Sequence, residues 1–152
     1  MTKLALAGTA CLAALTSFAI TSFADSPKLF TTQSEVTWSQ PFGAQGPSFG
    51  FVEGKYGDKH PASFFVKAKA GFDSGWHVHS EDYKAVVISG TFTEQQQGKS
   101  ENTLPSGTFF VQPGKQTHRN GCTSGADCLV FVHFDNGADS TPMTADGKPV
   151  KK

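Results

Sequence analysis

The sequence predicts a single all-β domain, a sandwich or barrel of many short strands. Three observations lead there. No segment of useful length repeats its apolar residues at the helical period. Apolar or alternating runs of strand length are separated by Gly, Pro, Asp and Asn. Gly (16 of 152 residues) and Phe (14) are abundant while only 17% of residues are charged, against roughly 25% in soluble domains. That balance suits a turn-rich β fold with an aromatic interior and excludes a coiled coil. Lys+Arg and Asp+Glu stand at 13 each with no basic stripe, so nothing in the charge would draw nucleic acid.

The expected elements follow in order. Residues 34–42 read as a strand around Trp38, 43–47 as a loop and 49–52 as a short strand. Residues 62–70 alternate, with Phe64, Val66, Ala68 and Ala70 on one face and Phe65, Lys67 and Lys69 on the other. A Gly-Phe-Asp-Ser-Gly turn precedes a strand at 76–79. Strands are expected at 83–89, ended by Gly90, then at 91–95, around Leu104, at 108–112 and at 129–134. Residues 135–152 are polar without apolar periodicity and are expected as a loose tail.

Residues 1–24 read as a removable leader. Lys3 is followed by an apolar or small-residue stretch to Ile20, then Ser22-Phe23-Ala24, an A-x-A-like cleavage site. The alternatives are an N-terminal anchor helix, for which the stretch is short of ~20 residues, and a lipoprotein through Cys11, which sits in mid-run. Cleavage after Ala24 predicts an exported, periplasmic or extracellular protein with no stable membrane anchor. It leaves Cys122 and Cys128, an even pair in an oxidising compartment, which predicts a disulfide across a hairpin loop. Two free thiols are the competing reading.

Five histidines are present: His60, His77, His79, His118 and His133. His77 and His79 are two apart, so on a strand both imidazoles face one side. Taken alone, the pair reads more readily as two exposed strand histidines. The spacing around it says more. Gly71, His77, His79 and Gly90 fit G-x5-H-x-H-x3-E-x6-G, and Gly107, Pro113 and His118 fit G-x5-P-x-G-x2-H-x3-N. This resembles the two-part signature of the cupin superfamily, and the wider phrases resemble small secreted bacterial cupins of unassigned function. Three positions depart from it. Tyr83 stands at the glutamate, the second Gly of P-x-G is displaced to give Pro113-Gly114-Lys115, and Cys122 stands at the asparagine.

The resemblance implies an antiparallel jelly-roll barrel over residues 25–134, with His77, His79 and His118 inside it as ligands of one divalent transition metal. Three imidazoles suit Zn, Fe, Ni, Cu or Mn better than Mg or Ca, and three protein ligands leave a position open for water or substrate. Tyr83 has two readings: a ligand or water-orienting group, making it the candidate catalytic residue, or an aromatic of the core. Glu81 and Asp82 read as exposed turn carboxylates. His133 reads as a satisfied strand histidine, with a fourth ligand or proton shuttle as the alternative. His60 is expected in an exposed loop, and Arg119 is expected to point away from the ion. Phe49, Phe51, Phe92, Phe109, Phe110 and Phe131 are candidates for core or pocket wall; if several line the mouth, the ligand is apolar or aromatic. These expectations describe an exported metal-binding cupin with an open three-histidine site, acting as a metal-dependent enzyme, oxidoreductase or hydrolase, on a small molecule. A non-catalytic binding or sensing barrel is the alternative, a structural barrel with a vestigial site is a third, and a homodimer is an open alternative to the monomer.

Overall fold

A computed structural model describes residues 30–123 and 125–151. The expected leader, its expected cleavage site and Cys11 lie outside the described residues. The described residues form eleven strands: β1 Trp38–Ser39, β2 Ser48–Glu53, β3 Ala62–Ala68, β4 His77–Val78, β5 Tyr83–Ser89, β6 Thr91–Gln96, β7 Asn102–Pro105, β8 Phe109–Gln112, β9 His118–Cys122, β10 Cys128–Phe134 and β11 Thr141–Pro142. They assemble into two antiparallel sheets, one of six strands in the order β1-β2-β3-β10-β5-β8 and one of five in the order β11-β4-β9-β6-β7. This is the jelly-roll architecture expected from the sequence.

Strict alternation builds the core. On β5, Tyr83, Ala85 and Val87 turn inward while Lys84, Val86 and Ile88 turn out; on β10, Val130, Val132 and Phe134 turn inward. The five-stranded sheet supplies Phe92 and Cys122 to the same buried cluster. Each large apolar side chain removed from water in this way contributes about 1.5–3 kcal/mol. Phe49, Phe51, Phe92 and Phe110 belong to this interior. Phe109 does not: it is 61% exposed, because alternation on β8 aims Phe110 and Gln112 inward. Phe131 also faces out and packs against Phe65 across β10 and β3, ring centroids 5.3 Å apart.

Three local expectations are corrected. The strand expected over 34–42 is reduced to β1, because Thr32 and Glu35 close a 3-10 turn over Gln33–Glu35: the Thr32 backbone N–H and Oγ1 both donate to Glu35 Oε2, at 2.7 and 2.8 Å. The Cys122–Cys128 disulfide is present, but it does not staple a paired hairpin. Cys122 ends β9 in one sheet and Cys128 begins β10 in the other, so the bridge ties the two sheets together.

The third correction concerns the polar segment after Phe134, which is not a loose tail. Ala138 is fully buried and bridges to Tyr56, β11 pairs with β4, and Met143 bridges to Pro149. Its backbone groups find partners in the sheet, which composition alone does not reveal.

Two glycine positions show how close the chain passes near the motif. Gly90 has φ +79°, and a Cβ there would meet Cys128 Sγ at 2.9 Å. A Cβ on Gly114 would stand 2.6 Å from the Glu81 carbonyl carbon. The following residue, Lys115, takes the left-handed conformation (φ 62°) and donates its N–H to the His79 carbonyl at 2.8 Å. The displaced glycine therefore serves close approach, and a lysine carries the strained dihedral beside it.

Candidate metal centre

The strand pattern brings the three motif histidines together. His77 on β4 is the register partner of His118 on β9, and His79 follows two residues on. Ring centroids lie 4.3 Å apart for His77 and His118, 4.9 Å for His77 and His79, and 5.1 Å for His79 and His118. One nitrogen from each falls within 4.8 Å of the others, and no other group of three or more His, Cys, Asp or Glu does so among the described residues.

Hydrogen bonding decides which nitrogens these are. His77 Nδ1 meets the Gly75 carbonyl at 3.0 Å, His118 Nδ1 meets the Gln116 carbonyl at 2.9 Å, and His79 Nδ1 meets the Asp139 carbonyl. A backbone carbonyl only accepts, so each Nδ1 carries the proton and each Nε2 keeps a lone pair. His118 Nε2 is buried with no partner among the described residues. Three preset lone pairs on rings whose nitrogens lie within 4.8 Å of one another, one of them orphaned in the interior, fit a divalent metal ion.

Electrostatics keep the rings neutral. Burial lowers the His77 pKa; burial and the neighbouring His77 lower His79 to about 4 and His118 to about 3. Neutral imidazole is the metal-binding form. The strap after Phe134 adds support at His79. The Asp139 carboxylate accepts from the Ser80 N–H at 2.8 Å and from the Ser80 hydroxyl, holding its own carbonyl against His79.

Tyr83 stands beside the triad, its ring centroid 5.2 Å from His79 and 6.3 Å from His118. Its hydroxyl donates to Asn120 Oδ1 at 3.2 Å, and burial, with the negative charge of Glu94, pushes the phenol far above its ordinary pKa. It is a neutral, buried hydroxyl.

The other sequence candidates sit elsewhere. Glu81 and Asp82 are exposed, and Asp82 caps the Gly114 N–H at 2.7 Å. His133 faces outward between Ser63 Oγ (2.8 Å) and Asp135 (3.0 Å). His60 is exposed. Arg119 points away from the triad to Gln95, Asp73 and Glu101 and lies 5.3 Å over the Trp76 ring.

A cavity of about 410 Å³ opens at His77 and His79. Its walls include Phe49, Tyr56, Phe72, Trp76, Phe92 and Phe110. That is the volume of a small-molecule site, with an aromatic lining and a few polar groups at one wall. Sequence reasoning missed Asn120, Asp139 and Glu94 in this region. Asn120 shares the inward face of β9 with His118, and Glu94 shares that of β6 with Phe92, so strand period carried a signal for both. Asp139 lies in the segment read as a tail and left none.

A family known only as a domain of unknown function, DUF4437, matches residues 30–143. The chain belongs to the DUF4437 family. No curated protein matches it. Among solved structures this DUF4437 chain is similar to an RmlC-like cupin from Ralstonia eutropha (TM-score 0.62, 12% identity, 79% of this chain and 74% of that one). It is similar to the DMSP lyase DddQ from Ruegeria pomeroyi (0.60, 16%, 82% and 75%). It is also similar to a chain from the structures of the DMSP lyases RdDddP and RnDddQII (0.59, 18%, 72% of this chain), of whose length it spans 63%. At these identities the likeness establishes the cupin fold.

Proposed function

We propose that this DUF4437 protein is an exported cupin that binds one divalent transition metal through His77, His79 and His118 and acts there on a small apolar or aromatic molecule. The observation that carries the reading is the set of three Nδ1–H groups spent on backbone carbonyls, leaving three Nε2 lone pairs convergent. A bound metal would supply Lewis-acid polarisation of a ligand oxygen. The chain's own groups do the rest. Trp76, Phe72 and Phe110 stack on or exclude water from an apolar ligand, and Asp139 holds His79 in place. Tyr83, at the motif glutamate position, offers a neutral hydroxyl bonded to Asn120 beside the triad and is the candidate for orienting a metal-bound group. Lyases among proteins of this fold support an enzymatic role.

A non-catalytic binding role has an observation of its own. The cavity-wall carboxylates are engaged, Asp139 with Ser80 and Asp73 with Arg119, so neither stands free as a base. Metal analysis of the protein purified from the envelope, followed by a turnover screen on small aromatic and carboxylic substrates, separates the two. Metal content with turnover supports the enzyme, metal without turnover the binding protein.

Export rests on the leader reading and is favoured by the disulfide, which persists in oxidising compartments. The intact mass of the exported protein, starting at Asp25, tests it. A second copy would meet an apolar surface on β5 and β8, where Val86, Ile88, Phe109 and Val111 stand exposed; light scattering gives the state.

A further inference from the structure

A divalent ion held by three neutral imidazoles brings two positive charges into a low-dielectric interior. The motif carboxylate that would offset them is absent, since Tyr83 holds its position. The interior nevertheless contains a carboxylate. Glu94 is 7% exposed on β6. Its Oε2 accepts from Asn102 Nδ2 at 2.8 Å, while its Oε1 is buried with no hydrogen-bond partner among the described residues. No cation pairs with it among the described residues, although such burial is costly for a charge.

Register places this residue on the inward face of β6, near the strand position of His118. Gln96 lies opposite His118, Glu94 opposite Asn120 and Phe92 opposite Cys122. Glu94 is thus one inward-facing pair from the Gln96–His118 pair, a backbone step of about 7 Å along the strands. Its register partner Asn120 accepts a hydrogen bond from the Tyr83 hydroxyl. The negative charge of Glu94 is felt at that hydroxyl, where it raises the phenol pKa.

We infer that Glu94 is a buried charge-balancing carboxylate of the three-histidine site, adding to Asp73 and Asp139 at its edge and stabilising a bound divalent ion from the neighbouring residue pair without ligating it. The inference rests on the metal reading above. A buried carboxylate with one oxygen unpartnered costs stability, and a divalent ion in the same interior offsets that cost. Glu94 is therefore a positioning residue in the electrostatic sense: it acts on the ion's affinity through space.

Glu94→Gln keeps the shape and the bond from Asn102 and removes the charge. Isothermal or competition titration with Zn²⁺ or Co²⁺ is expected to show affinity roughly tenfold to a hundredfold weaker, while the metal-free melting temperature holds or rises. Asn102→Ala removes the hydrogen bond and keeps the charge: its metal-free melting temperature falls, and its metal affinity stays within about twofold of wild type. If Glu94→Gln does not fold, Glu94→Met removes the charge with an apolar side chain of similar length and is read the same way. Wild-type affinity in the charge-removing variant overturns the inference while leaving the metal site standing. A wild-type protein that takes up no metal overturns both.

Discussion

Lowering the pH from 7 to 5.5 should destabilise the metal-free protein through its buried histidines. An ordinary histidine titrates near 6.5, whereas burial holds His79 at about 4 and His118 at about 3. The folded-state values are depressed, so the unfolded chain takes up protons first. The stability these neutral rings allow is present above about pH 6.5 and is lost as pH falls toward the folded values. Each ring contributes about 1.4 kcal/mol per pH unit inside that window. For the two rings the loss reaches about 2–3 kcal/mol by pH 5.5, a fall on the order of 10 °C in Tm for a domain of this size. Few carboxylates titrate between pH 7 and 5.5, so the window isolates the histidines. Thermal melts of the chelator-treated protein at half-unit steps would measure it, with His118→Gln as control, since that variant loses one of the contributing rings and its share of the slope. A metal-free Tm that stays flat from pH 7 to 5.5, with the wild type and His118→Gln superimposed, would refute the buried neutral triad.

Lys115→Gly should stabilise the protein by about 1 kcal/mol in denaturant melts, because a lysine at φ 62° bears a strain that glycine does not. Thiol labelling of the unfolded, non-reduced protein should find no free cysteine, and opening the short Cys122–Cys128 ring should cost about 2 kcal/mol. Asp139→Ala should weaken metal binding roughly tenfold in a competition titration, because it frees the carbonyl that orients His79. His60→Ala and His133→Ala should leave binding unchanged, since one is exposed and the other bonds Ser63 and Asp135.

Only part of the triad's signal is local: His77 and His79 need only the strand period to share a face. His118 was legible through the resemblance to the two-part cupin signature, and the register of β4 with β9 places it opposite His77. The all-β class was legible in the alternation that β5 and β10 display, and the jelly roll in the same resemblance. What escaped depends on contacts between distant segments. The strap around Ala138 is polar in composition and is ordered by Tyr56 and β4, neither of which lies near it in the chain. The disulfide was expected from cysteine parity, but its joining of two sheets follows from β9 and β10 parting company after a short loop. Phe109 and Phe110 show the limit of composition: two identical neighbours, one exposed and one packed against Tyr83 and Phe92. Glu94 was within reach through its alternation with Phe92, yet a carboxylate in a strand reads as a surface charge until the register is known.

The most direct test of the central claim is a competition titration of the purified, chelator-stripped protein with Zn²⁺ or Co²⁺, wild type against His118→Ala. A three-histidine site predicts one ion per wild-type chain, with affinity at least a hundredfold weaker once His118, whose Nε2 is buried without a partner among the described residues, is removed. Binding of equal strength in the two proteins, or no binding by the wild type, would contradict it.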